Sequence, residues 1–168
     1  MSDAAKARAR RFLDEISTLT MATSSDNVPW AATVFFAADS KFNLYFVSDH
    51  RTQHGRDMAA NEHVAATINP DCDNWNDVAG LQIRGTVAVV DGIERAKALA
   101  IYLKKFPQID ALFARPEGEH EETIAARLKA ANFYKITPQM IRVIDNEQGF
   151  GYREELNKEW FADRPGPG

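Results

Sequence analysis

Apolar residues recur along this chain in two rhythms, and the rhythms divide it into elements. Residues 4–16 place Phe12, Leu13 and Ile16 on one side of a short amphipathic helix, with basic residues opposite. From residue 17 the runs are shorter and richer in β-branched and aromatic side chains. "STLTMATSS" (17–25), "WAATVFFAA" (30–38) and "LYFVS" (44–48) read as three strands. "DNVP" between the first two is a turn, since Asp, Asn and Pro each favour one, and "DSKFN" is the next hairpin loop. Strand alternation sends at least one of Tyr45 and Phe46 into the core.

Residues 52–61 suit a short helix with Thr52 as its N-cap, although Gly55 in the first turn weakens it. "HVAATIN" (63–69) is a fourth strand, and the turn-rich "PDCDNWND" a loop. "VAGLQIRGTVAVVD" (78–91) is a long fifth strand. It carries Leu81, Ile83, Val87 and Val89 on one face and Gln82, Arg84 and Thr86 on the other. Gly85 in its middle points to a bulge or a close backbone approach. Helical spacing then takes over at Leu99, Tyr102, Leu103 and Phe106, and again at Ile124 and Leu128. Two closing strands are expected, "NFYKIT" (132–137) and "QMIRVID" (139–145).

The expected fold class is α+β: closely spaced antiparallel strands closed into a barrel, because closure removes exposed edges, with helices at the periphery. One domain spans 1–156, with a helical insert at about 93–131, and 157–168 reads as a disordered tail. The chain has 168 residues, enough for one sizeable core. Its net charge of −4 argues against nucleic acid or an anionic membrane as partner. No apolar run approaches the length of a membrane span. Cys72 is the lone cysteine, so no internal disulfide forms, and a reducing, cytoplasmic setting is expected.

Common catalytic signatures are missing: there is no glycine-rich dinucleotide fingerprint, GxxxxGK[ST], HExxH or GxSxG. His50 and His54 lack a third donor at ligand spacing, so no metal site is expected. The stretch "SDHRTQHGRD" (48–57) is the better lead, because it gathers cations and hydroxyls where a strand hands over to a helix. Helix N-termini expose free N–H groups and bind phosphate. Ser48, Arg51, Thr52 and His54 add hydroxyls, a guanidinium fork and an imidazole. Together they describe a phosphomonoester site.

The order of segments adds to this. "LTMATSSDNVPWAATVFF", "LYFVSDHRTQHGRDMAANEHVAATI", "GLQIRGTVAVVD" and "FYKITPQMIRVIDNEQGFG" together resemble the pyridoxamine-5′-phosphate-oxidase-like FMN-binding split barrels over residues 12–156. The resemblance implies a six-stranded antiparallel Greek-key split barrel. It also implies a homodimer with FMN at the interface and the phosphate at the 48–57 corner. Carried over, it places the main chain of Thr33 and Val34 at the flavin edge. Thr52 and His54 fall at the family's phosphate positions, with Val47, Ser48 and Arg51 beside them, and Gln82 lies two residues past the place of its flavin-contacting Gln. Read from their own strands, Arg84 faces either the flavin or solvent, and Trp30 either stacks on the ring or packs in the core or an interface. The family oxidases' Arg-x-His substrate clamp has no counterpart in "NEQGFGYREEL". The resemblance therefore implies an FMN-dependent oxidoreductase of undefined small-molecule substrate and electron donor, rather than a true pyridoxamine-phosphate oxidase. The alternatives are a deazaflavin in place of FMN, or a non-enzymatic barrel for storage, sensing or structure. Such a barrel could carry haem on His50, His54 or His63.

Overall fold

The computed structural model describes residues 2–156; the expected tail, 157–168, lies outside them. Strands β1 (Thr18–Ser25) and β2 (Val28–Ala38) form a hairpin in which Ser25 pairs with Val28. Asp26 and Asn27 make its two-residue turn at φ of 51° and 62°. Asn and Asp tolerate that left-handed backbone, and its twist suits antiparallel strands. β3 (Leu44–Ser48) pairs with β2, and β4 (His63–Ile68) joins the far edge of β1. β5 (Ala79–Val90) follows β4, and β6 (Asn132–Asp145) follows β5. The pairing of β3 with β6 closes the ring into a six-stranded antiparallel barrel.

β6 is what splits the barrel. Its first part, Asn132–Ile136, pairs with β3, while Ile141–Ile144 pairs with a short strand β7 (Arg153–Leu156). The two closing strands expected from sequence are thus one strand of 14 residues. Pro138 does not end it, because the register shifts at this point. Gly85 faces Pro138 while Arg84 faces Met140, so Gln139 is the extra residue of a bulge. Gly85 is required there: a Cβ would lie 2.4 Å from the Thr137 carbonyl oxygen.

Inside the barrel, Leu19, Met21, Phe36, Leu44, Phe46 and Ile136 are fully buried. Helix α1 (Asp3–Glu15) covers one end with Ala5, Ala9, Phe12 and Leu13, its small residues allowing close approach. Ile16, expected on that face, caps the helix and packs against the same core. Arg8 ties α1 to Asp145 at the end of β6 (2.8 Å). Helix α2 (Gln53–Ala60) starts at Thr52, as expected, and Gly55 proves necessary, since a Cβ there would meet the Asp49 oxygen at 2.6 Å.

The insert holds three helices: α3 (Gly92–Lys105), α4 (Pro107–Ala114) and α5 (Gly118–Ala130). Sequence periodicity gave the first and third. α4 is short and opens on a proline at its first position. α3 lies on the outside of the barrel and creates a second core from Tyr45, Val90, Ala98, Tyr102, Phe106 and Phe133. Both Tyr45 and Phe46 are therefore buried, on opposite faces of β3. Val89 keeps the inward side expected for it, but it sits at the open mouth of the barrel and is 55% exposed. Lys105 joins α3 to the end of α1 by donating to the Leu13 and Ile16 carbonyls (2.9 and 2.6 Å), with Nζ 4.0 Å from the centre of the Phe36 ring.

Candidate functional site

The register of β3 against β6 decides what faces the 48–57 corner. Ser48 pairs with Asn132, and the two strands run antiparallel. Residues just after Ser48 therefore lie beside residues just before Asn132. The result is a cleft of about 650 Å³ lined by Val47, Ser48, Asp49, His50 and Arg51 on one wall and Arg127, Leu128, Ala130 and Ala131 on the other. A smaller groove of about 260 Å³ is lined by Thr18, Thr33, Val34, Phe35, Tyr102, and again Val47 and Leu128. The shared residues join the two depressions into one trough. Of the residues singled out in the sequence, Thr33, Val34, Val47, Ser48 and Arg51 line this trough, whereas Thr52 and His54 are in neither lining.

The corner's polar groups are already engaged with one another. Thr52 caps α2: its hydroxyl accepts from the Gly55 amide (3.1 Å) and donates to the Asp49 carbonyl (2.7 Å). The amides of Gln53 and His54, first in the helix, are left without intrahelical acceptors. His54 Nε2 meets the Ser48 hydroxyl at 2.6 Å. Burial lowers the His54 pKa, and the Asp57 carboxylate opposes that shift. Arg51 is not free, because its Nε lies 3.0 Å and its Nη2 2.5 Å from the Asp49 carboxylate. Those bonds hold Asp49 well below the usual carboxylate range. Gln53 turns away from the cleft and donates to Asp57 (2.7 Å), which is 2% exposed and also accepts from Thr23 (2.8 Å).

Trp30 lies elsewhere. It is half exposed at the barrel mouth and lines a separate depression with Gln53, Arg56 and Asp57. Gln82 and Arg84 stand on the outside of β5, level with Thr67 and Ala65 of β4. Gln82 accepts from Arg142 (3.2 Å). Neither lines the trough of its own chain. The sequence reading missed Arg127 and Leu128 because only the long-range register of β3 on β6 places them here.

The lowered His54 pKa has a testable sign. The unfolded histidine takes up its proton at about pH 6.5, while the folded one resists protonation to lower pH. Below about pH 6.5 the unfolded chain therefore binds more protons, and stability falls with pH. Urea unfolding of the ligand-free protein at about pH 7.5 and 5.5 should show this loss, and His54→Gln should reduce it. An equal loss in both proteins would show that His54 is not its source.

The family model described as pyridoxamine 5′-phosphate oxidase matches residues 5–144. This chain belongs to the pyridoxamine 5′-phosphate oxidase family. Among its relatives, a UPF0306 protein of Klebsiella pneumoniae strain 342 is 28% identical over 155 residues, covering 92% of this chain and 94% of that protein. Among solved structures, a heme binding protein from Mycobacterium smegmatis is similar at TM-score 0.71 and 18% identity, over 96% of this chain and 61% of that one. HutZ, the heme storage protein of Vibrio cholerae, is similar at 0.61 and 16%, over 80% and 89%. At these identities the structural likeness speaks for the fold alone. No helix among the described residues is long and apolar enough to cross a membrane.

Proposed function

We propose that this member of the pyridoxamine 5′-phosphate oxidase family binds FMN in the trough and serves as an FMN-dependent oxidoreductase acting on a small molecule. The observation that carries this is a pair of adjoining depressions that share Val47 and Leu128: a groove at Thr33 and Val34, and a cleft in which Ser48, Arg51 and Arg127 set polar groups into a largely apolar lining. That is the order of parts in a flat ring with a phosphorylated tail. Val47, Leu128 and Ala131 offer the ring an apolar wall and exclude water from it. Ser48, His54 and the first amides of α2 can hold a phosphate. FMN, when bound, supplies the redox chemistry, and the protein supplies orientation and electrostatics. A deazaflavin with a phosphate tail would meet the same groups.

The same proposal includes a homodimer. The outer faces of β1, β2 and β4, continued by β5, carry Thr20, Ala22, Ala31, Thr33, Ala65 and Thr67, all exposed. Such short side chains let a second copy approach closely, and Phe35, 53% exposed, stands at the edge of this face. Gln82 and Arg84 project from it, so they could reach a flavin only in the partner's trough. Arg84 has no ion pair among the described residues and is the cation available to a reduced ring.

Titration with FMN, followed by quenching of flavin fluorescence, tests the reading. FMN should bind at least about tenfold more tightly than riboflavin, since the phosphate adds charge-assisted hydrogen bonds. His54→Ala should weaken FMN binding by about 1–3 kcal/mol. Equal affinity for FMN and riboflavin would remove the phosphate from the corner, and no uptake of either would end the flavin proposal. A second reading, haem carriage, is favoured by His50, which lines the cleft with an exposed ring. A Soret band on adding haem, lost in His50→Ala, would select it over the flavin bands.

A further inference from the structure

Two arginines line the cleft, and they differ in state. Arg51 is clamped by Asp49, which accepts from its Nε at 3.0 Å, from its Nη2 at 2.5 Å and from its backbone amide at 2.8 Å. That guanidinium has its charge matched and its fork filled. Arg127, on the last turn of α5, lines the same cleft and has no ion pair or side-chain hydrogen bond among the described residues. Its five donors are unspent. Other cations near the corner are committed elsewhere: Arg56 donates to the Arg51 carbonyl and to Gln53. His54, its pKa lowered by burial, brings no positive charge at neutral pH and serves only as a hydrogen-bonding group beside Ser48.

Resting on the FMN reading, we infer that Arg127 is the residue that reads the phosphate, while Asp49 occupies Arg51 as an internal competitor for the same anion. A phosphomonoester presents several acceptor oxygens and a charge near −2, which suits a free guanidinium fork. Arg51 joins only if its bonds to Asp49 are exchanged, which costs part of what the phosphate contributes. The ligand class follows: flat molecules ending in a phosphomonoester, in preference to the same molecules without it. The helical insert that bears Arg127 is then a wall of the site rather than an ornament on the barrel.

The bland account of Arg127 is a cation favouring the C-terminus of its own helix, and the experiment separates the two. Full-length wild type, Arg127→Ala, Arg127→Lys and Asp49→Asn are titrated with FMN, riboflavin and inorganic phosphate, the flavins by fluorescence and phosphate by calorimetry. Arg127→Ala should weaken FMN about 10- to 100-fold, the range for a charge-assisted hydrogen bond, and leave riboflavin unchanged. Arg127→Lys keeps the charge at the helix end but not the fork, and should recover FMN binding in part. Asp49→Asn, which frees Arg51, should tighten FMN binding.

An Arg127→Ala protein that binds FMN like wild type overturns the assignment. An Asp49→Asn protein with unchanged or weaker FMN affinity overturns the competitor role. A wild type that takes no flavin but binds phosphate through Arg127 would sink the FMN reading and leave this anion site standing. One that binds none of the three ligands sinks both.

Discussion

Phe46→Ala should lower the unfolding free energy by about 3–5 kcal/mol, the cost of emptying a fully buried aromatic site. Phe46 has no exposed surface and sits on β3, the five-residue strand whose pairing with β6 closes the barrel. Its ring stacks on Tyr134, its cross-strand partner, with centroids 5.2 Å apart and planes 14° off parallel. Truncation leaves a cavity at the seam and removes that pair. The neighbours on the inner face, Leu44 and Ile136, are themselves fully buried on paired backbones, so the site cannot easily collapse. The seam also sets the register that brings Val47 opposite Phe133 and Ser48 opposite Asn132. The same substitution should therefore weaken ligand binding in the cleft. Urea unfolding at neutral pH checks the first effect, and FMN titration well below the new midpoint checks the second. A loss under about 1 kcal/mol would mean that the seam is held by its backbone pairing alone.

Much of this fold was legible because the signals are local. "LYFVS" matches β3 residue for residue, and Thr52 caps α2 because a hydroxyl before a helical run has a free amide to accept from. The turn at Asp26–Asn27 follows from residues that tolerate left-handed backbone. The failures were of another kind. "NFYKIT" and "QMIRVID" read as two strands because Pro138 normally ends one. Only its position opposite Gly85 shows that a bulge absorbs it. Tyr45 gained a second buried face because α3 folds back over β3, which no local pattern records. Neither α4 nor β7 was expected, both being too short for a clear periodicity.

The site divides along the same line. The sequence gathered Ser48, Arg51, Thr52 and His54 correctly as neighbours, since they sit on one strand-to-helix corner. It could not foresee that Asp49, two residues before Arg51, takes that arginine's fork, because opposite charges at close spacing are common and usually solvated. Nor could it bring Arg127 across from the insert. Trp30 was placed near the ring by its strand position. The strand's inward alternation instead carries it to the barrel mouth beside Arg56 and Asp57. Gln82 and Arg84 share one face as read, but on the outside of the barrel, away from their own chain's trough.

Gly85→Val should be disruptive as well, with an expected loss of about 3 kcal/mol or more. The nearest atoms to a Cβ at this position are all backbone: the Thr137 oxygen at 2.4 Å, the Thr137 carbon at 3.0 Å and the Pro138 Cα at 3.1 Å. No side-chain rotation can relieve the clash, so β5 and β6 must move apart where β6 changes partner from β3 to β7. The bulge at Gln139 lies directly beside this close approach. A branched side chain would therefore strain both the long pairing of β5 with β6 and the split of the barrel. Ala88→Val, at an exposed position three residues along the same strand, is the control, and should change stability by no more than about 0.5 kcal/mol. Native-state hydrogen exchange would locate the damage, with lost protection centred on the amides of Arg84, Thr86 and Met140 for Gly85→Val. Uniform loss across the barrel would point instead to global destabilisation, with β5 and β6 still closely paired in the folded state.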